Sequence, residues 1–198
     1  FTEVKMSDFN SLTASELGDM IGQGEIDPVE LTEHFLSRIE TSPIGKKIYS
    51  TVTSQLALEQ AKDAKKRAIS GRRLSALDGV PISWKDLFDI EGYPCEAGSE
   101  LLAGRLANQN CEVYNLAEAQ GLICLGKTHM SELAFSGLGL NPVRETPPCV
   151  NYPESVPGGS SSGAATSVSF GLAAAGIGSD TGGSARIPAA WNDLVGLK

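Results

Sequence analysis

Between Gly158 and Ser184 the chain carries one charged residue, Asp180. Two runs rich in glycine and serine bound this span: Pro157-Gly158-Gly159-Ser160-Ser161-Ser162-Gly163 and Gly178-Ser179-Asp180-Thr181-Gly182-Gly183-Ser184. Between them the pattern reads as a helix of small residues over Gly163–Phe170 and an apolar strand over Ala173–Gly178. A stretch with so little charge must be largely buried, and its hydroxyls then need partners inside the protein. Glycines beside the serines allow positive φ and a close backbone approach to a ligand. N–H groups converging ahead of a helix favour an anion. One such turn alone is usually a solvent-exposed bend. Two of them around a single helix–strand unit constrain any fold this chain can adopt.

The remaining pattern is that of an α/β chain. Thr13-Ala14-Ser15-Glu16 is a capping box ahead of Leu17, Met20 and Ile21. Asp27-Pro28-Val29-Glu30 supplies an N-cap, a proline at the first helical position and an acid, and Leu31, Phe35 and Ile39 line one face. A third helix is predicted from Ser54 to about Ser70, with Leu56, Ala57, Ala61, Ala64 and Ala68 inward. From Leu77 the texture changes. Leu77–Asp86 reads as a turn leading into a short apolar strand, Glu112–Gln120 as a helix carrying Val113, Leu116 and Ala117, and Leu122–Leu125 as a buried strand. Ser131–Phe135 reads as a short helix, and Ala185–Trp191 opens another. Residues 136–159 form a loop long enough to expect a function for it. Strands alternating with helices imply a central sheet. The expected organisation is a helical segment over residues 1–76 and a core over 77–198.

Composition narrows the function. The 198 residues hold 16 Lys+Arg against 24 Asp+Glu, a net charge of −8. That balance disfavours a nucleic-acid backbone as partner, and the basic run Lys62–Arg67 reads as a solvated helix face. No stretch approaches 18 apolar residues, so no membrane span is predicted. Phe1-Thr2-Glu3-Val4-Lys5 is unlike a signal peptide and lacks an initiator Met, so the chain reads as starting inside a longer product. Cys95, Cys111, Cys124 and Cys149 form no C-x-x-C, and His34 and His129 are the only histidines. No metal site or cofactor is expected, and the thiols read as free and buried in a reducing, cytoplasmic setting.

Two motif matches fail on context. Gly121–Thr128 fits G-x-x-x-x-G-K-[ST], but the positions between its glycines are themselves the predicted strand, and Gly121 reads as a helix C-cap. Gly159–Gly163 fits G-x-S-x-G around Ser161, but Pro153 and Pro157 exclude the strand that a nucleophile elbow requires.

Taken in order, Gly79-Val80-Pro81-Ile82 with Lys85-Asp86, Gly126-Lys127-Thr128, Pro157–Ser161, Asp180-Thr181-Gly182-Gly183-Ser184-Ala185-Arg186-Ile187-Pro188-Ala189-Ala190 and Val195–Lys198 resemble the amidase signature family, serine hydrolases with a Ser–Ser–Lys triad. The resemblance implies an α/β fold with a mixed central β-sheet covered by helices on both faces, of which this chain is the N-terminal part. It makes Ser184 the nucleophile, Ser160 a bridging serine after a cis Gly159–Ser160 peptide, and Lys85 the general base. It places the oxyanion hole at the N–H groups around Thr181, Gly182, Gly183 and Ser184. Ser161, Gly137 within the acyl-pocket run Phe135–Leu140, and Arg186 become substrate-binding residues, Arg186 being equally suited to a structural ion pair. Asp180 reads as a turn residue and His129 as structural.

A lysine can act as base only when neutral, so burial behind Val80, Ile82, Trp84 and Leu87 must bring its ordinary value of about 10.4 toward 7–8. Without the resemblance, Lys85 reads as a strand-end lysine paired with Asp86 or Asp89. Ser162 and Cys95-Glu96 depart from the family pattern, and the chain stops at Lys198, inside a family motif, so it reads as a fragment or as one of two separate chains. The implied activity is hydrolysis of a carboxylic amide C–N bond through an acyl-serine. Two rivals stay open: the A subunit of an aminoacyl-tRNA amidotransferase, releasing ammonia from Gln or Asn with partner subunits, and a non-catalytic scaffold. The implied partners are a small amide and the chain beyond Lys198, with a homodimer left open and neither nucleic acid nor membrane expected.

Overall fold

The computed structural model describes residues 6–198; Phe1 to Lys5, with the reading of the chain's start, lie outside the described residues. Helices come first: α1 (Ala14–Gln23), α2 (Pro28–Thr41), the single turn α3 (Gly45–Ile48) and α4 (Ser54–Ile69), with strand β1 (Tyr49–Val52) between the last two. Then follow β2 (Pro81–Lys85), α5 (Glu112–Ala119), β3 (Ile123–Thr128), α6 (Ser162–Ser169), β4 (Ala175–Ile177) and α7 (Arg186–Trp191).

Local chemistry accounts for the first helices. The Thr13 hydroxyl accepts from Glu16 N while the Glu16 carboxylate accepts from Thr13 N, completing the predicted box. Asp27 caps α2 by accepting from Val29 N at 2.8 Å. Ala57, Ala61 and Ala64 are buried, and their small side chains let α4 lie close on α2 and β3. The basic run on α4 is a solvated face, with Lys66 paired to Asp63 and Lys65 to Asp27. Arg67 grips Asp78 with two bonds of 2.7 and 2.8 Å and ties the end of α4 to the turn before β2.

The sheet has the order β1-β3-β2-β4, with β1 antiparallel to β3 and the other pairings parallel. Every residue of β2 and β3 is buried, as expected of strands covered on both faces. Alternation along β2 sends Trp84 toward Phe88 and Tyr114 of α5 and Ser83 toward Ser167 of α6, so helices cover both sides.

Three features differ from the sequence reading. The strand predicted over Leu122–Leu125 runs on to Thr128, with a bulge at Gly126 (φ 154°). A Cβ there would lie 2.3 Å from Thr51 O, so the glycine is what lets β1 pair. On α5 it is Tyr114 that turns inward, while Val113 and Leu116 are exposed. Elements α3 and β1 carry no local signal that would predict them. The turn α3 lacks a side-chain cap, and Ile48 O and β1 are held by His129 N and β3.

All four cysteines are free, three of them buried. No helix among the described residues is long and apolar enough to cross a membrane.

Candidate active site

Lys85 ends β2, and the period of two puts it on the Ser83 face, beside the start of α6. It is fully buried. Its Nζ donates to Ser160 Oγ and to Ser179 Oγ, each at 2.7 Å. The carboxylates that the sequence offered it are engaged elsewhere. Asp86 holds the buried Lys127 at 3.0 Å and accepts from Glu96 N, and Asp89 is held by Arg105 through bonds of 2.6 and 2.8 Å. Burial lowers the Lys85 pKa to about 8, and the charge of Asp180 works weakly against that. An amine so placed has a neutral fraction near neutral pH that an ordinary lysine lacks, and that fraction can accept a proton.

Ser160 follows a cis Gly159–Ser160 peptide bond and is fully buried. The turn before it is held by the 137–139 segment: Gly158 N donates to Leu138 O and Gly159 N to Gly137 O, at 3.0 and 2.8 Å. A Cβ on Gly159 would lie 2.5 Å from Gly139 N, so glycine is required there. Gly137 therefore enters the site through its carbonyl.

Ser161 departs from its expected role. It is 2% exposed, its hydroxyl donates to Ser179 O and accepts from Ser179 N, and its own N–H donates to Ser184 O at 3.0 Å. These atoms fasten the first turn to both ends of the second.

The second turn is organised by Asp180. Its carboxylate accepts from the N–H groups of Gly183, Ala185 and Arg186 and from two guanidinium nitrogens of Arg186 at 3.0 Å. Arg186 and these N–H groups hold the Asp180 carboxyl well below the usual carboxylate range. Arg186 thus forms the structural ion pair, the alternative to binding a substrate carboxylate. The Gly183 N–H, expected in the oxyanion hole, is occupied by Asp180. Those of Thr181, Gly182 and Ser184 have no partner among the described residues. Ser184 is half-buried, and its hydroxyl has no hydrogen-bond partner among them either.

The structure thus joins Lys85 to Ser160 and stitches Ser161 to the Ser184 turn, while the bond between the Ser160 and Ser184 hydroxyls is open. Sequence reasoning missed Ser179. It lies inside the second glycine- and serine-rich run, but sequence alone does not say which hydroxyl of that run meets the lysine. Asn141 was also missed: its amide donates to Gly98 O and Met130 O, both at 2.8 Å, and anchors the long loop.

Neither motif that failed on sequence context gains support from the fold. Lys127 lies buried in β3 and donates to Asp86 and Pro94 O, and no strand precedes Ser161. His129 is buried, with its pKa lowered by desolvation, and its backbone bridges Ile48 O and Gly163 N.

A family model described as Amidase matches residues 30–198. The chain belongs to the amidase signature family. The A subunit of glutamyl-tRNA(Gln) amidotransferase from Acinetobacter baumannii is 38% identical to it over 196 residues, which cover 98% of this chain and 39% of that protein. The protein of the same name from Thioalkalivibrio sulfidiphilus is 40% identical over 188 residues, covering 94% and 38%. Among solved structures, peptide amidase from Stenotrophomonas maltophilia superposes with a TM-score of 0.83 at 28% identity, covering 91% of this amidase signature chain and 38% of that one. A bacterial aryl acylamidase of the amidase signature family gives 0.82 at 30%, covering 91% and 38%. The chain spans about two fifths of the length of the curated relatives it matches.

Proposed function

We propose that the protein hydrolyses a carboxylic amide C–N bond through an acyl-Ser184 intermediate. One observation carries the reading: a buried lysine amine with no carboxylate partner among the described residues lies 2.7 Å from a buried serine hydroxyl on the turn fastened to Ser184. A serine hydroxyl is a weak nucleophile and needs an adjacent base. In the proposed step, rotation of the Ser184 side chain brings its hydroxyl to Ser160. Ser184 Oγ bonds to the amide carbon as its proton passes to Ser160 Oγ, and the Ser160 proton passes to neutral Lys85. In this reading the oxyanion is received by the N–H groups of Thr181, Gly182 and Ser184, which have no partner among the described residues. The Lys85 proton then returns through Ser160 to the departing nitrogen as the C–N bond breaks. Water attacks the acyl-serine by the same relay and releases the acid.

A fluorophosphonate probe tests the reading on the full-length protein. Peptide mapping should find the label on Ser184, and Lys85→Ala should abolish labelling. A label elsewhere, or full labelling without Lys85, removes the proposal.

A second reading rests on the relatives named as the A subunit of glutamyl-tRNA(Gln) amidotransferase. In it the same relay releases ammonia from glutamine for use by partner subunits. Glutamine hydrolysis that requires a copurifying partner supports this version, and partner-independent turnover of simple amides supports the first.

A further inference from the structure

Beneath Lys85 lies a set of buried hydroxyls that the proposed chemistry does not use. Ser83 and Ser167 are both 0% exposed, with Oγ atoms 2.7 Å apart. The Tyr49 hydroxyl sits against the same pair while donating to Leu172 O. Proton accounting fixes their direction. A serine hydroxyl has one proton, and Ser167 gives its own to Ala164 O at 2.8 Å, so Ser83 is the donor in the pair. The two serines belong to the two bodies that carry the dyad. Ser83 lies two residues before Lys85 on the same face of β2. Ser167 lies about two helical turns beyond Ser160 on α6, the helix the Ser160 turn leads into. Close packing reinforces the junction: a Cβ on Gly176 of β4 would lie 2.5 Å from Ala164 O and 3.0 Å from Ser83 Oγ. No other side-chain hydrogen bond joins β2 to the body of α6 among the described residues.

We propose that the Ser83–Ser167 hydroxyl pair is a positioning clamp that sets the distance between the Lys85 amine and the Ser160 hydroxyl. This rests on the relay described above. Small misplacements of reacting groups are costly, about 100-fold for a shift near 1 Å. The clamp also holds the lysine away from water. The amine meets the hydroxyls of Ser160 and Ser179, and Asp180, already paired with Arg186 and 3.9 Å from Lys198, is the one carboxylate acting on it among the described residues. Loosening β2 from α6 would hydrate Lys85 and move its titration upward from about 8.

The test is the pH profile of fluorophosphonate labelling in the full-length protein, read beside thermal unfolding. Ser167→Ala should label about 10- to 100-fold more slowly, with its acid limb moved to higher pH. Ser167→Thr, which keeps a hydroxyl, should label close to the parent rate. Ser83→Ala/Ser167→Ala removes both partners and leaves no orphaned donor, so it should regain much of the melting temperature while its limb stays displaced. The clamp is overturned if Ser167→Ala keeps the parent rate and limb, or if the double variant regains both along with its stability. Failure of the relay itself would show differently, as undiminished labelling of Lys85→Ala.

Discussion

The helical layer of α1, α2 and α4 and the paired turns at 157–163 and 178–184 are built by different means. The layer is held by apolar side chains such as Leu17, Leu31 and Phe35 and by caps at its ends. The turns carry hardly any apolar side chain and are held by main-chain groups and small hydroxyls across long sequence separations, as in Ser161 to Ser179 and Ser184. In the first region a substitution removes buried area and costs stability in proportion. In the second a single added carbon meets backbone, and a single lost hydroxyl leaves a buried polar atom alone. The first region should therefore answer mainly in stability and the second mainly in chemistry.

The largest expected effect is that of Lys85→Met. Activity should fall by about 100- to 10,000-fold, the usual worth of a positioned base, while the melting temperature at pH 7 rises. A lysine whose pKa drops on folding binds fewer protons in the native than in the unfolded chain between about 8 and 10.4. It therefore destabilises the fold at pH 7, and that penalty fades as the pH climbs through this window. Replacement should stabilise by about 1–3 kcal/mol at pH 7 and by nothing near pH 11. Unfolding at several pH values checks this, and a loss of stability at pH 7 would contradict a desolvated amine whose pKa falls on folding.

Next in size is a matched pair. Phe35→Ala should cost about 3–5 kcal/mol yet leave the labelling rate per folded molecule unchanged. Gly159→Ala, whose new carbon meets Gly139 N, should cost about 1–3 kcal/mol and suppress labelling of the molecules that do fold. If both variants lose rate equally, the division between the two regions fails.

Arg186→Ala comes third. It strips the partner from Asp180, the carboxylate that acts on Lys85, so the acid limb of the rate profile should move up by less than about one pH unit. A large rise in KM with an unmoved limb would instead make Arg186 a substrate ligand. Smallest is Thr13→Ala, which removes the α1 cap and should cost about 1 kcal/mol with no change in labelling at any pH.

The same contrast decides what could be read before the structure. Caps and spacing announce α1, α2 and α4 because their determinants lie within a few residues of one another. The cis bond at Gly159–Ser160 and the Lys85–Ser160 contact came through family resemblance, not through pattern. What escaped was fixed by distant partners. Residues Tyr49–Val52 become a strand only against β3, with an irregularity in register between Tyr49 and Thr51. Ser179 meets the lysine from 94 residues away in sequence, and Asp180 takes the Gly183 N–H that the expected oxyanion hole would have used. Ser161 looked available for a ligand because nothing near it in sequence shows that Ser179 surrounds its hydroxyl.

That grip of Ser161 has a mechanical side. With its hydroxyl on the main chain of Ser179 and its amide on the carbonyl of Ser184, it makes one lever of two loops that are remote along the polypeptide. In the proposed chemistry, a load applied at Ser184 would reach the side of Lys85 through Ser179 without crossing the sheet, so the acyl carrier and the base would shift in step.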